Sequence, residues 1–169
     1  KFFKITGIII LLLYVAVCGL LYFNQDDLLF HPQPNTPDEV TEIINKYPEF
    51  DTLSFVMKDG NRTCGYISKD TIKEKLPLVL YFGGNAEEVS HLADYKAYFP
   101  NSIMVLMNYR SFGLSQGKIS EQTMFSDALE GYDKMISNPE VDAKNVIVVG
   151  RSIGTGVATY VSSQRKVNA

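Results

Sequence analysis

The stretch that decides the fold is NVIVVGRSIGTGVA, residues 145–158. The β-branched run at residues 146–149 predicts a short buried strand, and the residues after it predict a helix. Residues 150–154 lie at the join with the spacing G-x-S-x-G, which is the strand–turn–helix context of a nucleophile elbow. Such a turn brings strand and helix together, so the positions two before and two after the serine must be small. We expect Gly156 and Ala158 to keep the helix face thin.

The residue types in this turn suit nucleophilic catalysis by Ser152. A serine hydroxyl is a weak nucleophile, so it must be exposed beside a base, with backbone N–H groups facing the developing oxyanion. The helix that follows adds the positive end of its dipole. The backbone of Ser152 is therefore expected to be strained and its side chain exposed.

The same glycines allow a second interpretation. Gly150, Gly154 and Gly156 also give G-x-x-x-G-x-G, which is similar to the nucleotide-binding turn of short-chain dehydrogenases. That turn follows the first strand of its domain, and an acidic ribose contact follows about 20 residues later. Here several predicted strands come first and few residues follow Gly156, so the serine interpretation is favoured.

Composition limits the classes of protein to consider. Hydrophobic residues make up 46% of the 169 residues and charged residues 21%, which is typical of a globular domain with a sizeable core. The net charge of −3 and the lack of a basic run give no nucleic-acid footprint. Cys18 lies in an apolar segment and is not expected to pair with Cys64. Neither His31 nor His91 has a second ligand at a workable spacing, so we expect no metal site.

The N-terminal segment predicts a membrane anchor. Residues 5–23 are uncharged, long enough to span a bilayer as a helix, and longer than an ordinary signal-peptide core. Lys1 and Lys4 precede this run and Asp26 and Asp27 follow it, so the positive-inside rule places the N-terminus in the cytoplasm. The remaining chain would then lie on the extracytoplasmic side. A cleaved signal and a buried helix are the alternatives.

The segment after the anchor contains a connector, a short helix and a hairpin. Pro32 and Pro34 predict an extended connector over residues 25–35. Thr36, Pro37 and Glu39 form a capping-box pattern that starts a helix, which Pro48 ends. The strands of the hairpin are predicted at residues 53–58 and 63–68, its turn at residues 58–61, and a polar loop at residues 69–75.

Three fully apolar strands then alternate with helices. The strands are predicted at residues 78–82, 103–107 and 146–149, and the helices at residues 87–98, at residues 120–136 and after the elbow. Strands without polar alternation are buried on both faces, so the fold class is α/β, with a mostly parallel sheet and helices on both faces. The strand that ends at Gly150 is expected to remain an apolar, unpaired edge, and residues 1–169 alone to fold poorly.

Three separated stretches resemble the α/β-hydrolase superfamily. They are YFGGNA at residues 81–86, YRSFGLSQG at residues 109–117 and GRSIG at residues 150–154. Their order, spacing and wording are similar to the bud-emergence-protein-like, membrane-anchored branch of that superfamily, from about residue 50 onward. Members of that branch carry a histidine where this chain has Gly83, a departure that alters the packing of the loop but removes no catalytic group.

The resemblance implies an α/β-hydrolase fold, truncated after the elbow helix, and a membrane-anchored serine hydrolase that cleaves an ester, thioester or peptide bond. By position, Ser152 is the nucleophile, and the backbone N–H groups of Ile153 and Asn85 are the oxyanion donors. A plain turn with Asn85 as helix N-cap is the other interpretation of that loop. Arg110 is expected to form an ion pair, and Arg151 to be solvated or salt-bridged.

The rest of the catalytic triad is expected elsewhere. In this superfamily the order is Ser, then Asp or Glu, then His. His31 and His91 both precede Ser152, and no acidic residue follows it. We therefore expect the acid and the histidine beyond Ala169, and no useful activity from residues 1–169 alone. The alternatives are a non-catalytic hydrolase-fold interaction protein and an inactive truncated relic.

The resemblance also gives a domain organisation and a set of partners. Residues 1–24 are expected to form a transmembrane anchor, residues 25–50 a linker and short helix, and residues 51–169 the N-terminal part of an α/β-hydrolase domain. The expected partners are a small-molecule or lipid-like acyl substrate and the membrane, with no cofactor and no nucleic acid.

Overall fold

A computed structural model describes residues 2–69 and 74–169 of the chain. The chain divides into two compact units, Lys1–His31 and Pro32–Ala169. Four positions of the predicted polar loop, residues 70–73, lie outside the described residues.

The first unit contains one long helix. This helix, α1, spans Phe2–Leu29 and so continues past residue 23, where the uncharged run ends. Within the described residues it is the one helix long and apolar enough to cross a membrane, by length and composition. A signal sequence near an N-terminus and the core helix of a soluble protein can both pass the same test.

The second unit alternates helices with strands, as the sequence predicts. Its described residues form three α-helices, one 3₁₀ helix and five strands. In chain order the elements are α2 (Pro37–Lys46), β1 (Phe50–Val56), β2 (Arg62–Ser68), β3 (Leu76–Phe82), the 3₁₀ helix (Val89–Tyr98), β4 (Ile103–Met107), α3 (Glu121–Ile136), β5 (Val141–Gly150) and α4 (Gly154–Gln164).

The five strands form one mixed sheet in the order β1-β2-β4-β3-β5. The β1–β2 hairpin and the β2–β4 pair are antiparallel, whereas β4, β3 and β5 run parallel. Phe82 at the end of β3 is level with Met107 of β4 and Gly150 of β5. The loops that follow the three parallel strands therefore leave the sheet at the same edge.

Helices cover both faces of the parallel strands, as predicted. On one face Tyr81 and Leu106 join a buried cluster with Val40 of α2 and Leu92 of the 3₁₀ helix. On the other face Met107 packs so closely on α3 that a Cβ at Gly131 would overlap its side chain. Burial of both faces explains why these strands lack polar alternation.

Local side-chain hydrogen bonds set the starts of α2 and α3. The Thr36 N–H donates to the Glu39 carboxylate at 2.7 Å, and the Glu39 N–H donates to the Thr36 hydroxyl at 3.3 Å. This capping box confirms the predicted start of α2. Ser120 is the N-cap of α3 and accepts a hydrogen bond from the Thr123 N–H at 3.2 Å.

The helix after β3 differs from the predicted one in its start and in its geometry. It begins at Val89 rather than at residue 87, and it is a 3₁₀ helix. Val89, Leu92, Tyr95 and Tyr98 recur at every third position, so they share one face when a helix has three residues per turn. The ring of Tyr95 stacks on Tyr81 of β3 at 6.0 Å between centroids, which holds that face against the sheet.

The last strand, β5, starts earlier than predicted. Val141 pairs with Leu76 before the register shifts between Pro77 and Leu78, so the strand begins at residue 141 rather than 146. Asp142, Lys144 and Asn145 mask this start in the sequence because they interrupt the apolar run.

The outer edge of β5 forms backbone hydrogen bonds with the residues after α4. The Asn168 N–H donates to the Val146 carbonyl at 2.7 Å, and the Val148 N–H donates to the Ala169 carbonyl at 2.8 Å. The prediction of an unpaired edge is therefore wrong for this part of the strand, because the residues after α4 return to it.

A buried arginine holds the loop after β4. Arg110, only 7% exposed, donates two hydrogen bonds to the Asp127 carboxylate, each at 2.7 Å, and one to Asp59 at 2.6 Å. This confirms the predicted ion pair. The next residue, Ser111, has a φ of 67°, and its hydroxyl donates to the Gly117 carbonyl at 2.7 Å.

Candidate active site

The turn between β5 and α4 places Ser152 in a left-handed backbone conformation. Its φ is 52°, a value that costs an L-residue roughly 1–2 kcal/mol. The turn is fixed by hydrogen bonds from the Arg151 N–H to the Phe82 carbonyl at 3.0 Å and from the Gly154 N–H to the Arg151 carbonyl at 2.9 Å. Ser152 is exposed. The predicted strain and exposure at this position are both present.

The glycines on either side of Ser152 are required by close backbone approach. A Cβ at Gly150 would overlap the carbonyl of Gly154, and a Cβ at Gly154 would overlap the carbonyl of Phe82. The prediction for Gly156 is wrong, because this residue is exposed and a Cβ there would meet nothing within 4 Å. Ala158, by contrast, is buried on the inner face of α4.

An open cleft of about 870 Å³ lies in front of Ser152. Its floor comes from the elbow and from the loop after β3, which approach so closely that a Cβ at Gly84 would lie 3.5 Å from the Cβ of Ser152. Residues of α2 and of the segment before it form the opposite wall. The lining residues are Gln33, Pro34, Asn35, Glu39, Glu42, Ile43, Lys46, Gly84, Asn85, Ala86, Glu87, Glu88, Ser90, His91, Arg151 and Ser152.

The structure brings the three predicted site residues to one place. Asn85 lines the cleft together with Ser152, and Ile153 follows the serine as the first residue of α4's N-terminus. Ile153 is the N-cap residue of α4 and makes no side-chain cap hydrogen bond, and the positive end of the helix dipole lies at the turn. The roles of Ser152, Ile153 and Asn85 remain predictions.

The alternative role of Asn85 as a helix N-cap is wrong. Glu88 caps the 3₁₀ helix instead, and its carboxylate accepts a hydrogen bond from the Ser90 N–H at 3.0 Å. The Asn85 side-chain oxygen accepts from the Ala86 N–H at 3.0 Å, and Ala86 has a φ of 56°. The loop after β3 therefore turns sharply before the helix starts.

A buried carboxylate that the sequence analysis did not single out lies between the two loops. The Glu87 side chain is 7% exposed and pairs with Arg151, which confirms the predicted salt bridge of that arginine. The same carboxylate accepts a hydrogen bond from the Gly84 N–H and lies 2.8 Å from Nε2 of His91. The four-residue spacing of Glu87 and His91 was the one local signal of this cluster.

Both ring nitrogens of His91 face the residues directly before its helix. Its Nε2 faces the Glu87 carboxylate, and its Nδ1 lies 3.0 Å from the Glu88 carbonyl. Both partners are acceptors, so the imidazolium, which donates from both nitrogens, satisfies both contacts, whereas the neutral ring satisfies one. His91 therefore belongs to the Glu87 cluster and is not arranged as a base for Ser152.

The loop after β4 supports the loop after β3 from behind. The Tyr109 hydroxyl donates to the Gly83 carbonyl at 2.9 Å. Burial raises the pKa of Tyr109 well above its usual range, and the negative charge of Glu87 raises it further. Tyr109 consequently stays a neutral hydrogen-bond donor at any physiological pH and fixes the start of the loop.

The described residues hold no group of three or more His, Cys, Asp or Glu side chains that could bind a metal ion. Cys64 contacts Ser54 at 3.8 Å and the Leu114 carbonyl at 3.6 Å, away from the cleft.

Comparison with known proteins gives relatives in several organisms. No family model matches the chain. The chain is 24% identical over 168 residues to the alpha/beta hydrolase domain-containing protein WAV2 of Arabidopsis thaliana, over 92% of this chain and 53% of WAV2. It is 23% identical over 175 residues to protein bem46 of Schizosaccharomyces pombe, over 96% and 56% respectively. The chain thus spans about half the length of these relatives.

Solved structures are similar to the second unit in fold. The α/β hydrolase GrgF from Penicillium sp. sh18 superposes with a TM-score of 0.60 and 19% identity, over 68% of this chain and 41% of GrgF. An esterase of Pyrobaculum calidifontis gives a TM-score of 0.57 with 16% identity, over 75% and 44% respectively. At these identities the likeness concerns the fold.

Proposed function

The chain belongs to the α/β-hydrolase superfamily and to its bem46-like branch, and on that basis we propose that the intact protein is a membrane-anchored serine hydrolase. It cleaves an ester or thioester bond through an acyl-enzyme on Ser152. The observation that carries this proposal is the exposed Ser152, with a φ of 52° in the turn between β5 and α4, facing the cleft that the loop after β3 also lines.

The reaction would proceed in two acyl transfers. The Ser152 Oγ attacks the carbonyl carbon of the substrate while a base takes its proton, and the carbonyl oxygen becomes an oxyanion. The backbone N–H groups of Ile153 and Asn85 stabilise that oxyanion, each contributing about 2.7–4 kcal/mol if it is well aimed. Collapse of the intermediate expels the alcohol or thiol, which receives the proton from the base. Water then attacks the acyl-enzyme by the same route and releases the acid.

The base in this proposal comes from another part of the intact protein. His91 lines the cleft, but both its ring nitrogens face acceptors on the residues directly before its helix. The superfamily order places an acid and then a histidine after the serine. We place both of these residues in the part of the protein that the relatives have beyond the matched half.

The walls of the cleft suggest how the substrate is oriented. The wall formed by α2 carries Glu39, Glu42 and Lys46, with Ile43 as its apolar member. A charged wall is a poor surface for an acyl chain, because burying charged groups against apolar matter is costly. We therefore place the polar leaving group of the substrate, rather than its acyl chain, against α2.

The membrane part of the proposal rests on α1. Its length and apolar composition are sufficient for one membrane span. Lysines before the span and aspartates after it favour a cytoplasmic N-terminus and an extracytoplasmic catalytic domain. Cysteine accessibility on either side of α1, measured with a membrane-impermeant reagent, tests this orientation.

A fluorophosphonate probe tests the nucleophile, with Ser111→Ala as the matched control. Both serines follow an arginine and have a positive φ, but only Ser152 lines the cleft. The intact wild-type protein and Ser111→Ala should be labelled at equal rates, whereas Ser152→Ala should not be labelled and should lose about 10⁴-fold or more in ester hydrolysis. Labelling that persists in Ser152→Ala would falsify the assignment, and a wild-type protein without labelling would favour a non-catalytic interaction protein.

A further inference from the structure

We propose that Glu87 is a positioning residue that holds the loop after β3 in register with the nucleophile turn. The inference rests on the proposed role of Ser152 and concerns the same site. It assigns Glu87 no contact with substrate, because its effect passes through the residues that it holds.

The Glu87 carboxylate bonds to both loops close to their functional ends. On one side it accepts from the N–H of Gly84, the residue before Asn85. On the other side it pairs with Arg151, the residue before Ser152. Glu87 therefore holds each loop at the residue directly before its proposed catalytic group.

The three partners of this carboxylate are all donors. They are the Gly84 N–H, the Arg151 guanidinium and the His91 ring. An ionised carboxylate offers acceptors only, so it satisfies all three, while a glutamine amide in its place would turn an N–H₂ group toward at least one donor. Because the Glu87 side chain is 7% exposed, water would compensate poorly for that mismatch.

The charges around Glu87 also suit the site. A lone buried carboxylate near a developing oxyanion would repel it. Arg151, with its side chain 56% exposed, and His91, 51% exposed, surround Glu87 and line the cleft. The positive charge of Arg151 offsets that of the Glu87 carboxylate, so the pair does not repel the oxyanion as a lone carboxylate would.

The required precision explains why such a tie affects turnover. A displacement of about 1 Å in a catalytic geometry can cost on the order of 100-fold in rate. The loop after β3 contains Ala86 with a φ of 56°, so it is not held by regular backbone structure at this point. From a buried position, Glu87 adds a constraint between this loop and the nucleophile turn.

The test uses the intact protein and the conservative variant Glu87→Gln. We expect kcat for a p-nitrophenyl ester to fall about 10- to 100-fold with KM changed less than about twofold. Binding of a trifluoromethyl ketone, whose serine adduct carries an oxyanion, should weaken by a similar factor. Glu121→Gln, the same chemical change on the exposed first turn of α3, should alter neither quantity.

Two arginine variants provide a second measurement. Arg151→Lys keeps a positive charge beside Glu87 and should retain more activity than Arg151→Met, which leaves Glu87 with the Gly84 N–H and the His91 ring. Each rate is divided by the concentration of active sites found by titration. A variant with a smaller folded fraction is then not mistaken for one with slower turnover.

The outcomes separate this inference from the proposed function. A reactive wild-type protein whose Glu87→Gln variant keeps full kcat and full ketone affinity would overturn the positioning role alone. A wild-type protein in which Ser152 does not react at all would overturn the proposed function, and the positioning role with it. A parallel loss of kcat and ketone affinity at constant KM would support the inference.

Discussion

Two Arg–Ser pairs in this molecule have the same residue types and a similar backbone conformation, but they differ in burial and in their surroundings. Arg110–Ser111 follows β4 and Arg151–Ser152 follows β5, and the two serines have φ values of 67° and 52°. Each arginine pairs with a carboxylate. In the first pair the arginine is 7% exposed, whereas in the second it is 56% exposed and the carboxylate is the buried partner.

The two hydroxyls show what this difference means. The Ser111 hydroxyl donates to the Gly117 carbonyl, so it serves the loop in which it lies. Ser152 faces the cleft beside Gly84 and Asn85. A left-handed serine next to an arginine is therefore not a site by itself. The distinguishing features are an open cleft and a second loop held within reach of the hydroxyl.

The largest expected contrast is in the stability of the two arginine pairs. Arg110→Met should lower the free energy of unfolding by about 3–5 kcal/mol, because it leaves the Asp127 carboxylate buried without its counter-charge. Arg151→Met should cost clearly less, since Glu87 keeps the Gly84 N–H and His91. Urea denaturation of the intact protein measures both, and equal losses would contradict the proposed division between a structural and a functional pair.

Glycine substitutions sharpen the comparison at the backbone level. Gly150→Ala should cost about 3 kcal/mol, because its Cβ would overlap the Gly154 backbone. Gly113→Ala, in the loop after β4, should cost about 1–3 kcal/mol, since its φ of 53° disfavours a side chain and its Cβ would overlap the buried, hydrogen-bonded Asn108 side chain.

Gly156→Ala is the control for these two variants. Its Cβ would contact nothing within 4 Å on an exposed helix face, so stability should rise by about 0.5–1 kcal/mol. Chemical denaturation gives all three values. A destabilised Gly156→Ala would show that α4 packs differently from the arrangement described.

The smallest expected effect is the acid sensitivity of the Arg110 pair. Hydrogen bonds from Arg110, and then from Asn61, lower the pKa of Asp59 to about 2 from its ordinary 3.8. The folded state therefore favours the ionised Asp59 carboxylate. The stabilisation of the fold by this carboxylate is fully present above about pH 4 and is lost as the pH falls toward 2. The stability difference between wild type and Asp59→Asn, followed by urea midpoints across this range, should shrink on acidification. A constant difference would argue against the Arg110–Asp59 contact.

Features set by neighbouring residues could be predicted from the sequence. The capping box of Thr36 and Glu39 needs residues three apart, and the elbow needs glycines two apart from Ser152. Fully apolar strands likewise predicted a sheet buried on both faces. In each case the interaction that fixes the structure is local or depends on composition alone.

Features set by distant residues could not be predicted. Glu87 and Arg151 are separated by 64 positions. The four-residue spacing of Glu87 and His91 is a local signal, but Glu88 lies three residues from the same histidine and fits a helix pair equally well. The 3₁₀ geometry of residues 89–98 was missed for another reason. Its three-residue spacing overlaps that of an α-helix over so short a segment, and the stacking of Tyr95 on Tyr81 favours the tighter form.

The strand order has a consequence for synthesis on the ribosome. β3 lies between β4 and β5, and both of these strands are made after it. At about 5–20 residues per second, the Leu78–Leu80 segment of β3 waits several seconds with an open edge before β5 emerges. Leu78, Val79 and Leu80 are completely buried in the finished sheet, so until β5 emerges this nascent edge is an apolar strand open to pairing with other chains.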